Sequence, residues 1–162
     1  MERVYIVMGV TGSGKSTFGK LLADRLMIPF YDGDDYHPAS NIIKMSKGNP
    51  LTDEDREPWL KILSVQIKDW ANSGGAVLAC SSLKKSYRKI LNGSSKAVFI
   101  YLAASKDLIQ NRLENRKGHF MPSELINSQF KALEEPVNAI KIDASFSTNE
   151  NINHVIKQLS HE

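Results

Sequence analysis

Residues 9 to 16 read GVTGSGKS, which satisfies G-x-x-x-x-G-K-[ST] with an extra glycine, Gly12, inside the loop. The stretch before it, RVYIVMG at 3 to 9, has the β-branched and aromatic make-up of a strand, and residues 15 to 26 carry a helical pattern. A strand that runs through such an octet straight into a helix leaves few folds open. Gly12 and Gly14 can take backbone angles denied to other residues, turning N–H groups toward the centre of the loop. The helix dipole places its positive end there, Lys15 adds an ammonium for β and γ phosphates, and the Ser16 hydroxyl is a ligand for Mg²⁺. Gly9, Val10, Thr11, Gly12, Ser13, Gly14, Lys15, Ser16 and Thr17 are therefore read as a nucleotide-binding cradle. The plainer alternative is a glycine turn that caps a helix.

The remaining pattern repeats strand and helix. Strands are predicted at 3 to 9, 28 to 32, 76 to 80, 97 to 103 and 139 to 143, mostly apolar as strands covered on both faces must be. Helices are predicted at 15 to 26, 39 to 46, 84 to 91, 105 to 116, 123 to 133 and 149 to 159, and a long one begins after Thr52 with Pro58 in its first turn. Asn92-Gly93 and Lys117-Gly118 are stop signals. The fold class is α/β: a three-layer α/β/α sandwich around a five-stranded parallel sheet, expected to form a single domain over 1 to 162. With one cysteine, Cys80, no disulfide framework is possible. Lys plus Arg number 21 and Asp plus Glu 18, and a net charge of +3 is too small to mark a nucleic-acid or membrane surface. No signal peptide or membrane span is legible, so the expectation is a soluble cytoplasmic protein without nucleic-acid or membrane partners.

A triphosphate cradle serves switches as well as kinases. The sequence has no N-K-x-D and no D-x-x-G tetrapeptide, which speaks against a guanine-dependent switch. It has instead Asp32-Gly33-Asp34-Asp35 at the end of the second strand, the edge where open α/β sheets bind ligands. An alcohol must lose a proton as it attacks a phosphoryl group, and a carboxylate can take it. Asp34 is the candidate base and Asp32 the candidate Mg²⁺ partner of Ser16; a turn that merely caps the next helix stays open for both. Lys84 and Arg88, four residues apart after the third strand, are candidates for an anionic acceptor. Arg112 and Arg116 repeat that spacing and lead into Lys117-Gly118-His119-Phe120, read as a short lid over about 112 to 122 that brings guanidinium charge to the transferring group. Arg116 is its candidate catalytic arginine and Arg112 a candidate nucleotide contact.

Four stretches together resemble the gluconokinases, the small gluconate kinases of the P-loop kinase superfamily. They are GVTGSGKST at 9 to 17, DGDDYHPASNIIKMSKGNPLTDEDREPWL at 32 to 60, CSSLKKSYR at 80 to 88 and RKGHFMPSELINSQFKALEEP at 116 to 136. The first is common to many NTPases; the other three are specific. The resemblance implies a nucleoside-monophosphate-kinase-like P-loop fold, ATP-dependent phosphorylation of D-gluconate to 6-phospho-D-gluconate feeding the pentose phosphate route, Mg²⁺, and a homodimer. It places His37 and Gln129 near the sugar acid, His119 of the lid segment is a further substrate-binding candidate, and the carboxylate of gluconate suits Arg56, Lys84 and Arg88. A shikimate kinase-like enzyme, with a cyclic acid as acceptor, is the alternative. The chain lacks an acidic residue at the end of the third strand, where many P-loop NTPases keep a magnesium-ligating Asp; Cys80 there reads as a small buried filler. Trp59, Trp70 and Phe130 read as core or interface anchors.

Overall fold

The computed structural model describes residues 3–93, 96–115 and 123–161. Strands β1 (Val4–Met8), β2 (Phe30–Asp32), β3 (Ala76–Ala79), β4 (Ala97–Ala103) and β5 (Ile140–Asp143) form one sheet in the order β2-β3-β1-β4-β5. Every pairing is parallel. Helices α1 (Lys15–Leu26), α2 (Ala39–Ser46), α3 (Asp53–Ala71), α4 (Lys85–Asn92), α5 (Lys106–Glu114), α6 (Ser123–Ala132) and α7 (Thr148–Leu159) connect or cover the strands. Every predicted strand and helix is present, with ends shifted by a residue or two. A 3₁₀ helix, Gly33–Tyr36, was not predicted and follows β2 directly. Among the described residues no helix is long and apolar enough to cross a membrane.

The period of two in the strands sorts the core into layers. Val4, Ile6 and Leu78 face α3 and α4, packing with Leu60, Leu63, Ile67 and Leu91. Val7, Val77 and Ile100 face the opposite side, with Phe18 and Leu22 of α1 and Ile152 and Val155 of α7. A third cluster, Val10, Leu83, Ile109, Leu113 and Ile126, ties α5 and α6 to the loop after β1. This last cluster rigidifies one wall of the edge where all the strands end.

Helix α3 starts at a reciprocal cap: the Thr52 hydroxyl accepts from Asp55 N–H at 3.1 Å, and the Asp55 carboxylate accepts from Thr52 N–H at 2.9 Å. With Asp53 as its first residue, Pro58 falls in the second turn rather than the first. The bond it cannot make is the one to the carbonyl of Glu54, an exposed residue whose carbonyl water can serve. Gly19 of α1 lies so near β2 that a Cβ would stand 2.7 Å from the ring of Phe30.

Candidate active site

The loop between β1 and α1 has the backbone its glycines allow. Gly12 and Gly14 sit at φ 77° and 98°, Gly14 as the left-handed N-cap of α1. At Gly9 a Cβ would come within 2.8 Å of the Leu102 carbonyl oxygen, so the loop lies directly on β4. No side chain caps α1, and its first turn holds no acidic residue. The helix end therefore keeps its positive potential and its unpaired amides for an outside anion.

Lys15 Nζ donates to the Val10 carbonyl at 2.9 Å, the oxygen that also receives the Ser13 hydroxyl at 2.7 Å. Burial lowers the pKa of Lys15, opposed by the neighbouring Cys80, Asp34 and Asp32. A phosphate here would relieve that desolvation. Ser16 Oγ donates to Asp32 Oδ2 at 3.3 Å, and Asp32 Oδ1 accepts from Asp34 N–H at 3.0 Å. Asp32 thus caps the 3₁₀ helix and faces the phosphate loop at once. Lys15, Ser16, Asp32, Asp34 and Gln129 line one cleft of about 470 Å³. The fit to Mg²⁺ is one of donor type: Ser16 and Asp32 offer two hard oxygens at the phosphate end, the class of ligand that this ion takes. Among the described residues no group of three or more His, Cys, Asp or Glu is placed to hold a metal.

The side chain of Asp34 is 86% exposed, yet it stands inside a concavity with protein around it. That surrounding protein raises its pKa, and the adjacent Asp32 carboxylate adds to the rise, against smaller pulls from His37 and Lys15. Asp34 is therefore a stronger base than a free aspartate. His37 Nε2 lies 3.9 Å from Asp34 Oδ1. Its ring stacks on Trp59 with centroids 4.1 Å apart, and Trp59 Nε1 donates to the Gly33 carbonyl at 2.8 Å, so α3 holds the 3₁₀ helix in place. Cys80, buried at the cleft floor, has its thiol pushed up to about 11 by burial and is an inert filler there.

The basic candidates separate. Arg56 Nη1 donates to the Leu51 carbonyl at 2.7 Å and to Tyr87 Oη at 3.3 Å. Lys84 is the N-cap of α4 and pairs with Asp53 at 3.0 Å; Tyr87 also donates to Asp53. None of His37, Arg56, Lys84 and Arg88 lines the cleft itself; His37 reaches it through Asp34, and Arg56 stands behind His37. Arg88 departs most from expectation: at 9% exposure its guanidinium donates to the carbonyls of Ser82 at 2.7 Å, Leu83 at 3.1 Å and Glu134 at 2.8 Å. Its charge is used to anchor backbone, with Ser82 held at φ 49° to present its carbonyl. Arg112 donates to Ser13 and Ala144 carbonyls, bridging the phosphate loop to the loop after β5. Arg116 and His119, and with them most of the expected lid over 112 to 122, lie outside the described residues.

Two further features flank the phosphate loop, one from the predicted site residue Gln129 and one at the loop after Asp143, where the sequence places the adenine contacts. Gln129 Oε1 accepts from Thr11 N–H at 2.8 Å, joining α6 to that loop across 118 residues of chain. A second cavity of about 430 Å³ opens on the other side of the loop, between Arg112, Thr148 and the 59% exposed Phe146.

The chain is similar to known proteins over most of its length. The family model described as shikimate kinase matches residues 11–160. A probable gluconokinase of Mus musculus is 51% identical over 152 residues, covering 82% of this chain and 83% of that protein. The thermosensitive gluconokinase of Escherichia coli (strain K12) is 44% identical over 160 residues, covering 98% and 83%. Among solved structures, a gluconokinase from Sinorhizobium meliloti 1021 superposes with a TM-score of 0.89 at 38% identity, over 98% of this chain and 92% of that one. With relatives this similar over most of its length, a phosphate loop after β1 and carboxylates after β2, the chain belongs to the gluconokinase family.

Proposed function

We propose that this protein transfers the γ-phosphoryl group of ATP to the primary hydroxyl of D-gluconate, giving 6-phospho-D-gluconate. The observation that carries the reading is the single cleft in which Lys15 and Ser16 face Asp32 and Asp34. An acceptor that is already a phosphate needs no base, whereas an alcohol does. Asp34, with its raised pKa, orients the hydroxyl and receives its proton as the oxygen attacks. Lys15 and the amides at the start of α1 hold the transferring group and balance its charge. Ser16 and Asp32 would hold Mg²⁺, which when bound supplies further charge neutralisation. The adenine base fits the second cavity against Phe146, with Arg112 fastening the two loops between which it enters. On the acceptor side, the amide of Gln129 and the imidazole of His37 read hydroxyls. Arg56, close enough for its charge to act on His37, is the cation for the sugar acid's carboxylate.

A coupled assay of ATP consumption with gluconate, shikimate and AMP offered separately tests the substrate. Turnover is expected with gluconate alone, and with none of the three in Lys15→Ala. Turnover with shikimate or AMP but not gluconate would reject the acceptor while keeping the phosphotransfer.

A further inference from the structure

Asn41 is a buried polar residue on α2 that the phosphotransfer reaction does not call for. Its Nδ2 donates to the Asp55 carbonyl at 2.9 Å and lies 3.3 Å from His37 Nδ1. A carbonyl oxygen can only accept, so the first contact fixes which end of the amide faces α3. The second hydrogen of the same nitrogen then points at His37 Nδ1, which must accept it. The ring has little other freedom: its side chain is 5% exposed and lies flat against Trp59.

We propose that Asn41 is a positioning residue that fixes the proton of His37 on Nε2, so that the imidazole presents an N–H toward Asp34 and the acceptor. The charged groups that face His37 are Asp34 from the 3₁₀ helix and Arg56 from α3; on α2, Lys44 pairs with the Asp55 carboxylate at 2.5 Å. Burial lowers the pKa of His37, opposed by Asp34 and aided by Arg56, and so favours the neutral ring. Neutrality matters to the base. An imidazolium 3.9 Å from Asp34 would stabilise the carboxylate and weaken its pull on a proton, whereas a neutral N–H can hold a hydroxyl without doing so. The opposite tautomer would turn a lone pair toward Asp34 and repel both carboxylate and hydroxyl oxygen. The kinetic consequence rests on the gluconate reading above, while the tautomer itself does not.

Heteronuclear NMR of the imidazole nitrogens, assigned by comparison with His37→Gln, reads the tautomer in the wild-type protein. The Nε2–H form is expected, with a titration midpoint below that of a free histidine. Asn41→Asp keeps the side chain's size but offers only oxygens, so His37 should move its proton to Nδ1 or become doubly protonated, with a raised midpoint. In that variant kcat/KM for gluconate should fall roughly tenfold or more, as for a misplaced reactant, while KM for ATP stays as in the wild type. A purely structural role would lower both together and leave the tautomer alone. An Nδ1–H ring in the wild-type protein overturns the proposal even if Asn41→Asp fails to fold, as does an Asn41→Asp variant with wild-type tautomer and gluconate kinetics. A wild-type protein inert toward gluconate would remove the acceptor assignment, and the spectrum would still decide the tautomer.

Discussion

Above its raised pKa the Asp34 carboxylate carries a charge that desolvation in the cleft, then Asp32 two residues away, opposes. The group that makes a good base is for that reason a poor contributor to folding. The carboxyl ionises in the unfolded chain at a lower pH than in the native one, so stability is lost as pH rises through the folded pKa. Asp34→Asn should therefore melt slightly higher than wild type at neutral pH, by a margin that solvent around the 86% exposed side chain keeps small, and the advantage disappears as pH falls through the folded pKa to the unfolded value. The same change should lower kcat by roughly a hundredfold or more, the contribution of a positioned base. Wild-type kcat/KM should fall as pH drops through that pKa, and the Asp34→Asn variant should lack this limb. Melting curves and rates across pH check both halves. The carboxylates, the loop and Lys15 were legible because their chemistry depends on residue type at close spacing in one segment. Arg88 was not: spacing of four puts two cations on a helix face but says nothing about the carbonyls of Leu83 and Glu134 that close over one of them.

Helix α3 serves the site by its first two turns, which carry Arg56 and Trp59. Their position follows from where the helix starts, and the start is set by the reciprocal cap of Thr52 and Asp55, reinforced by Lys44 of α2. The hydrogen bond from Lys44, then that from Thr52 N–H, hold the Asp55 carboxyl down to about 2. This support is present above the usual carboxylate range and is lost as pH falls toward 2. Thr52→Ala should reduce unfolding free energy by about 1 kcal/mol in denaturant titrations near neutral pH. It should leave the phosphate loop, which rests on β4 and α6, with its affinity for ATP intact. The cap was readable as Thr52 followed by three acids; the 3₁₀ helix at Gly33–Tyr36 was not, because four residues have no period to read. Its formation depends on Asp32 capping and on Trp59 reaching the Gly33 carbonyl, a contact 26 residues away in sequence.

The strand order brings these parts together. With β1 between β3 and β4, the loops that follow β1 and β2 open on one edge, and the loop after β5 approaches the phosphate loop from the opposite side. Alternating strands and helices made the parallel sheet legible, but no local pattern marks which distant loops touch. Gln129 at Thr11, and Arg112 at Ser13 and Ala144, are among the side chains that make those joins at the phosphate loop. Arg112 spans its two carbonyls because a planar fork donates in two directions from one group. An ammonium at the same place can serve one loop or the other, so Arg112→Lys should behave much like Arg112→Ala. With the clamp gone, nucleotide binding must itself order the two loops, and each lost charge-assisted bond represents about 1.5–3 kcal/mol. KM for ATP should accordingly rise tenfold or more (roughly, for the loss of one such bond) in both variants, with KM for gluconate little changed. Full rescue by Lys would mean that positive charge alone, rather than the bridge between loops, is what the nucleotide requires of this position.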